Sequence, residues 1–175
     1  MNSREFRHAL GQFPTGVVIA TARSAGRLMG MTLSSFNSVS LELPLVLFSV
    51  LRQARGFAEW QAVDRYAINV LTEDQEKLSN QFAGAGGDKW DGIAPGNGDS
   101  GVPTLPNAAV VFECQAHAQF DGGDHVIFVG RVTAMHQHAF NRGRPLVFFA
   151  GRYRQLADPA GAHSPPPEAM LLHGW

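Results

Sequence analysis

The feature that most constrains this fold is a pair of long alternating segments joined by a tight turn. In residues 108–120, one side carries Val110, Phe112, Cys114, Ala116, Ala118 and Phe120, and the other carries Glu113, Gln115, His117 and Gln119. A period of two is typical of an antiparallel strand with one face exposed. Asp121-Gly122-Gly123-Asp124 then predicts a turn, and residues 125–136 predict the returning strand. The other strands must therefore assemble around a long β-hairpin.

Further segments with strand character complete a mainly β chain. They are residues 17–22 and 28–32, with Gly26 in the connection between them, and residues 45–51, 66–70 and 145–150. About seven strands with few helices predict a small closed barrel, because closure removes open sheet edges.

Three short helices are predicted, one before the first strand and two between later strands. Ser3 is expected to cap the first helix, which Gly11 ends, and a second contains Phe57 and Trp60. Thr72 with Gln75 three residues later forms a capping-box pattern. That pattern opens a third helix in which Leu78 and Phe82 share a face, and Gly84 ends it.

Length, charge and cysteine content exclude several classes of protein. The 175 residues fit one domain, which we place at 1–156, followed by a Pro-rich tail at 157–175. A net charge of −1 without a basic cluster argues against a nucleic-acid partner. Cys114 is the only cysteine, so a reducing cytoplasm is expected. No apolar run is long enough for a membrane span, so no membrane association is expected.

Two local patterns suggest other chemistry but lack its usual context. Gly96, Gly98 and Gly101 satisfy the spacing G-x-G-x-x-G, yet they lie in a long loop rather than between a strand and a helix. His136 and His138 could present two imidazoles to a metal, but no third ligand accompanies them at metal-binding spacing. We therefore predict neither a dinucleotide-binding turn nor a metal site.

Residues 31–40, Met-Thr-Leu-Ser-Ser-Phe-Asn-Ser-Val-Ser, hold five hydroxyl side chains at the end of a predicted strand. Hydroxyl and backbone N–H donors can bind a phosphate, and a Ser-rich connection is an equally good interpretation of the segment alone.

This segment, with Leu43-Pro44-Leu45-Val46 after it, resembles the T-x-S-S-F-x-S-V-S…P-P-L segment of the short-chain flavin reductases. Those proteins are the reductase components of two-component flavin monooxygenases. The similarity continues in order through Phe13-Pro14-Thr15-Gly16-Val17, residues 66–71, Gly123-Asp124-His125, Gly130-Arg131-Val132, residues 145–149 and Gly151-Arg152-Tyr153. It implies an FMN-binding split β-barrel, usually a homodimer. Apolar Leu171, Leu172 and Trp175 in the tail could then dock on a partner subunit.

The resemblance also implies which residues surround the flavin. The residues that would line it near the ribityl chain and phosphate are Thr32, Leu33, Ser34 and Ser35, and those that would border the ring edge are Ser49, Val50 and Leu51. Candidates to pair with the phosphate or cover the ring are Arg55, Lys89 and Trp90, with Phe82 packed nearby. His125 matches the histidine that faces the nicotinamide site in this family.

The activity implied by the resemblance is hydride transfer from NADH or NADPH to FMN or FAD, with reduced flavin passed to a partner monooxygenase. No acid–base dyad is required, because the two cofactors carry the chemistry and the protein stacks their rings. Two alternatives stay open at this stage. One is a non-enzymatic electron carrier that retains FMN, and the other is a barrel that binds haem or another small ligand.

Overall fold

The structure, a computed structural model, describes residues 2–138 and 144–157. Its helices are α1 (Ser3–Leu10), α2 (Phe57–Ala62) and α3 (Glu76–Ala83), the last preceded by a 3₁₀ turn at Glu73–Gln75. Its strands are β1 (Thr15–Gly16), β2 (Val18–Ser24), β3 (Arg27–Leu33), β4 (Asn37–Ser40), β5 (Leu45–Leu51), β6 (Arg65–Val70), β7 (Gly96–Asn97), β8 (Pro103–Thr104), β9 (Val110–Gly122), β10 (His125–Gln137), β11 (Val147–Phe149) and β12 (Arg152–Arg154). The predicted mainly β class is confirmed.

Seven strands form one antiparallel sheet in the order β3-β2-β6-β9-β10-β5-β4. The expectation that this sheet closes is wrong, because in the described residues β3 and β4, at the two ends of the order, do not pair with each other. The ends are protected by other means. Thr32 Oγ1 in β3 donates to the Ser79 carbonyl of α3 at 2.7 Å, and β4 is short with a register shift between Ser38 and Ser40.

The predicted hairpin of β9 and β10 is present, with Gly123 at φ +75° in its turn. Its alternation differs from the prediction at both ends of β9. Glu113, expected on the exposed face, is fully buried, whereas Phe120 is 57% exposed. The register shifts twice along the hairpin, between Val129 and Gly130 and between Val132 and Ala134, and the first of these shifts lies between Glu113 and Phe120 on β9. Such bulges redirect side chains relative to a regular strand.

Glu113 is buried because the glycine-rich loop wraps around its carboxylate. Asp99 N donates to Oε1 at 2.7 Å and Ser100 N donates to Oε2 at 2.8 Å. A Cβ on Gly98 would lie 2.5 Å from the Glu113 carboxyl carbon, so the loop reaches this position only with glycine there. The glycine-rich loop thus binds the carboxylate of a residue within the chain. It begins in β7, which includes Gly96, and β7 pairs with β8 beyond the last glycine of the pattern.

The helix ends follow the sequence signals with one exception. Asn2, and not Ser3, caps α1, because its side chain accepts a hydrogen bond from Arg4 N at 2.9 Å. The capping box of Thr72 and Gln75 is present as predicted. None of the helices in the described residues has the length and apolar character that crossing a bilayer requires.

A second, smaller sheet joins the two ends of the described chain, in the order β1-β11-β12. The final strand predicted at residues 145–150 is therefore shorter than expected and is followed by β12, with Ala150 and Gly151 at positive φ between them. Leu171, Leu172 and Trp175 lie outside the described residues.

Two buried clusters stand on either side of the main sheet. One centres on Phe48, which contacts the rings of Trp60, Tyr66 and Phe128. The other holds Ile19, Leu71, Leu146, Phe82 and Trp90 among its members. This second cluster fixes the C-terminal end of α3 beside β3, next to the gap between β3 and β4.

Candidate functional site

A cavity of about 460 Å³ opens beside the ends of β3 and β5. Its lining comes from five separate stretches of the chain: Met31, Thr32, Leu33, Ser34 and Ser35; Ser49, Val50, Leu51, Ala54 and Arg55; Phe82, Ala83, Gly84 and Ala85; Lys89; and His125. Every residue that the resemblance places around a flavin lies here, with the exception of Trp90. The volume is within the usual range for a small-molecule site.

The Ser-rich segment forms one rim of the cavity and is tied to β5. Ser35 Oγ accepts a hydrogen bond from Ser49 N at 3.0 Å and donates to the Ser49 carbonyl at 3.2 Å. Thr32 is engaged with α3, as described above. Ser34, by contrast, is exposed, and its hydroxyl makes no hydrogen bond to the described residues. Of these three hydroxyls, that of Ser34 is therefore the one free to bind a ligand.

Two cations, Lys89 and Arg55, also line the rim of the cavity, and neither has a carboxylate partner among the described residues. Lys89 Nζ donates to the carbonyls of Gly30 at 3.2 Å and Phe82 at 2.8 Å, and Arg55 Nη1 donates to the Ala85 carbonyl at 3.1 Å. Burial, and then the positive charge of Arg55, lower the pKa of Lys89 below its usual value. An anion between these cations would relieve their repulsion, which makes this rim a candidate phosphate site.

Phe82 forms a wall of the cavity, and Trp90 lies behind it. The two rings meet edge to face, with centroids 5.1 Å apart at an interplanar angle of 85°. Trp90 is 7% exposed and lines an adjoining cavity of about 220 Å³, which shares Arg55 and Lys89 with the first. Trp90 therefore packs against Phe82 and lines the adjoining cavity, and a contact between its ring and a bound ligand stays a prediction.

His125 reaches the cavity because β10 pairs with β5. In that ladder His125 lies opposite Leu51, at the end where the cavity opens. His125 Nδ1 is 2.7 Å from Asp124 Oδ1, and this hydrogen bond holds the pKa of Asp124 below its usual value. With Nδ1 engaged, Nε2 is the ring nitrogen left for a ligand.

Gly30 is a residue that sequence reasoning missed. A Cβ at this position would lie 2.3 Å from Phe82 Cε1, so the ring of Phe82 packs directly on the backbone of β3. A glycine inside an apolar strand pattern is a signal of such close approach, and residues 28–32 carry that signal. The small lining residues Ala54, Ala83 and Ala85 carry no comparable signal.

A family profile described as flavin reductase-like domain matches residues 10–157 of the chain. The chain belongs to this family. The architecture agrees, since the solved structure of flavin reductase PheA2 superposes with a TM-score of 0.82 at 37% identity, covering 90% of this chain and 100% of that one. The predicted resemblance and fold are confirmed.

Three relatives illustrate the similarity. The chain is 41% identical over 156 residues to FMN reductase (NADH) SmoA of Agrobacterium fabrum, covering 89% of this chain and 87% of the relative. It is 34% identical to HsaB, the reductase subunit of a flavin-dependent monooxygenase of Mycobacterium tuberculosis, covering 87% and 82%. The solved structure of SgcE6, an NADH:FAD oxidoreductase of Streptomyces globisporus with NAD and FAD fragments, superposes with a TM-score of 0.85 at 34% identity, covering 91% of this chain and 96% of that one. Two longer relatives from Rhizobium meliloti extend further, and the chain spans 60% and 45% of their lengths.

The packing of Phe82 on Gly30 can be tested by Gly30→Ala. We expect the free energy of unfolding to fall by about 1–3 kcal/mol, because the added methyl overpacks the contact and displaces the ring. Flavin binding should weaken as well, because the ring moves into the cavity. Gly16→Ala is the matched control, since its Cβ would meet nothing within 4 Å. Equal denaturant midpoints for the two variants would contradict this packing role.

Proposed function

We propose that the chain is an NAD(P)H-dependent flavin reductase that binds FMN or FAD in the 460 Å³ cavity. The main support for the proposal is that the predicted flavin-binding residues lie together in one cavity. Residues that a resemblance selects from distant parts of the chain, among them Ser34, Ser49, Arg55, Phe82 and His125, meet in one cavity within a chain of the flavin reductase-like family.

The lining fits a flavin in both shape and charge. Leu33 and Leu51 offer accessible apolar surface for a flat ring, while Lys89 and Arg55 offer charge for a phosphate. Ser34 supplies a free hydroxyl for the polar chain that links ring and phosphate. The rim held by the bonds between Ser35 and Ser49 keeps this arrangement preformed, which reduces the entropy lost on binding.

When bound, a flavin supplies the acceptor for a hydride from NADH or NADPH. The chain's own contribution is to hold two flat rings in contact and to exclude water between them. His125 would bind the nicotinamide cofactor through Nε2, and Asp124 acts as a positioning residue that holds the imidazole by Nδ1. No proton transfer by the protein is needed for the hydride step.

We propose a flavin-dependent monooxygenase as the recipient of the reduced flavin, by analogy with HsaB, whose name gives it that role. The unpaired, buried Cys114 suits a reducing cytoplasm, which is the location we propose.

Lys89→Ala tests the phosphate site. We expect FMN to bind about tenfold more weakly, which is the loss of one charge-assisted hydrogen bond, while riboflavin binding stays within about twofold. Lys77→Ala is the matched control, because Lys77 is the only other lysine and is exposed on α3. Fluorescence titration with both flavins measures the effect. Equal losses for FMN and riboflavin would show that Lys89 shapes the cavity and does not bind phosphate.

His125→Ala tests the nicotinamide side. We expect kcat/KM for NADH to fall about tenfold, equivalent to ~1.4 kcal/mol, with the flavin dissociation constant unchanged. His117→Ala, on the exposed part of β9, is the control. Stopped-flow bleaching of bound flavin isolates the hydride step from flavin release. Wild-type rates in His125→Ala would remove His125 from the site, and an absence of bleaching in the wild type would favour the electron-carrier alternative.

We further propose a homodimer. Large apolar side chains stay exposed near both ends of the described chain, namely Leu10 at 59%, Phe13 at 75% and Leu156 at 60%, and association would cover them. We expect light scattering at micromolar concentration to give twice the 18.9 kDa of one chain. A mass of one chain at that concentration would contradict the proposal.

A further inference from the structure

A second group of chemically distinctive side chains lies at the glycine-rich loop, among residues not assigned to the flavin cavity. It consists of Asp99 from the loop, Glu113 from β9 and His136 from β10, and is called the Asp99 cluster below. One ligand atom from each residue lies within 4.8 Å of the other two. His136 Nε2 is 2.8 Å from Glu113 Oε1 and 3.6 Å from Asp99 Oδ2.

The three residues differ in burial in a way that suits a bound ion. Glu113 is fully buried, whereas the side chains of His136 and Asp99 are 39% and 75% exposed. Two loop N–H groups and the Ser100 hydroxyl fix the orientation of the Glu113 carboxylate, while the Asp99 side chain is largely exposed beside His136. One fixed ligand and two adjustable ones leave the cluster open to solvent on one side.

The charge of the cluster is unbalanced. In the ion pairs formed within residues 2–138 and 144–157, His136 is the only cationic partner of either carboxylate. Two carboxylates beside one imidazole leave a net negative charge even when the imidazole is protonated. A cation at the centre would balance that charge better than a proton shared by His136 and Glu113 does.

We propose that the Asp99 cluster binds a divalent metal ion, and that Zn²⁺ fits it best. Imidazole nitrogen with carboxylate oxygen is a common donor set for Zn²⁺, at metal–ligand distances of about 2.0–2.2 Å. The ion takes the place of the proton between His136 Nε2 and Glu113 Oε1, and that proton leaves to solvent. Water fills the remaining coordination position.

The fold brings to His136 two ligands, Glu113 and Asp99, that the sequence spacing does not show. His136 and His138 are two residues apart, and no further donor stands near them in the chain. The pairing of β9 with β10 brings Glu113 to His136, and the loop brings Asp99. A metal here would clasp residues 96–101 to the central hairpin, so its binding should raise the Tm of the protein.

Titration of the tag-free, EDTA-treated full chain with ZnCl₂ by calorimetry tests the site, with Co²⁺ absorption as a report of coordination. We expect one equivalent to bind and the Tm to rise by several degrees. Asp99→Asn and His136→Gln should each weaken binding at least tenfold. His117→Gln and His138→Gln are the matched controls and should bind as the wild type does.

The proposal is overturned if no Zn²⁺ binds, or if Asp99→Asn and His136→Gln bind it as tightly as the controls. Either result would show that the Asp99 cluster only holds the glycine-rich loop to β9 and β10 by hydrogen bonds and binds no metal. Asp99 is exposed, so Asp99→Asn keeps the test decisive even where His136→Gln fails to fold. Melting curves in EDTA identify that failure separately.

Discussion

The backbone ladder between β5 and β10 is the interaction on which the rest of the structure depends. It joins the long hairpin to the strand that ends at the cavity, in continuous register from Arg131 opposite Leu45 to His125 opposite Leu51. Without this pairing, His125 would not lie beside the β5 residues that line the cavity. Because β10 bonds to β9 on its other side, displacement of β10 would disturb the glycine-rich loop and the cavity together.

The gap in the sheet is what makes room for a ligand. A closed ladder would pair β3 directly with β4 and would fill the space where the Ser-rich segment now turns. The chain instead protects its open edges with α3 and with a short, irregular strand. The space between these edges is apolar on its walls and charged on one rim, which is the combination that a flavin requires.

Sequence reasoning succeeded where the signal was local. The strand at residues 45–51 matches β5 residue for residue, and the capping box of Thr72 and Gln75 is formed as predicted. Sequence reasoning failed where the burial and contacts of a side chain depend on distant parts of the chain. Glu113 looks like an exposed strand residue until the loop at residues 96–101 folds over it. The edge-to-face contact of Trp90 with Phe82, and its place in the adjoining cavity, likewise depend on packing that the sequence pattern does not show.

The hydrogen bonds that Lys89 already makes limit how many it can give to a ligand in the cavity. An ammonium group has three N–H bonds, and Lys89 already directs two of them to the carbonyls of Gly30 and Phe82. A phosphate beside Lys89 therefore accepts a single hydrogen bond from it. A glycine-rich phosphate-binding loop, by contrast, donates several backbone N–H groups to the phosphate. A single bond from Lys89 suits the exchange of flavin that the proposed function requires, in which reduced flavin leaves the protein as a product.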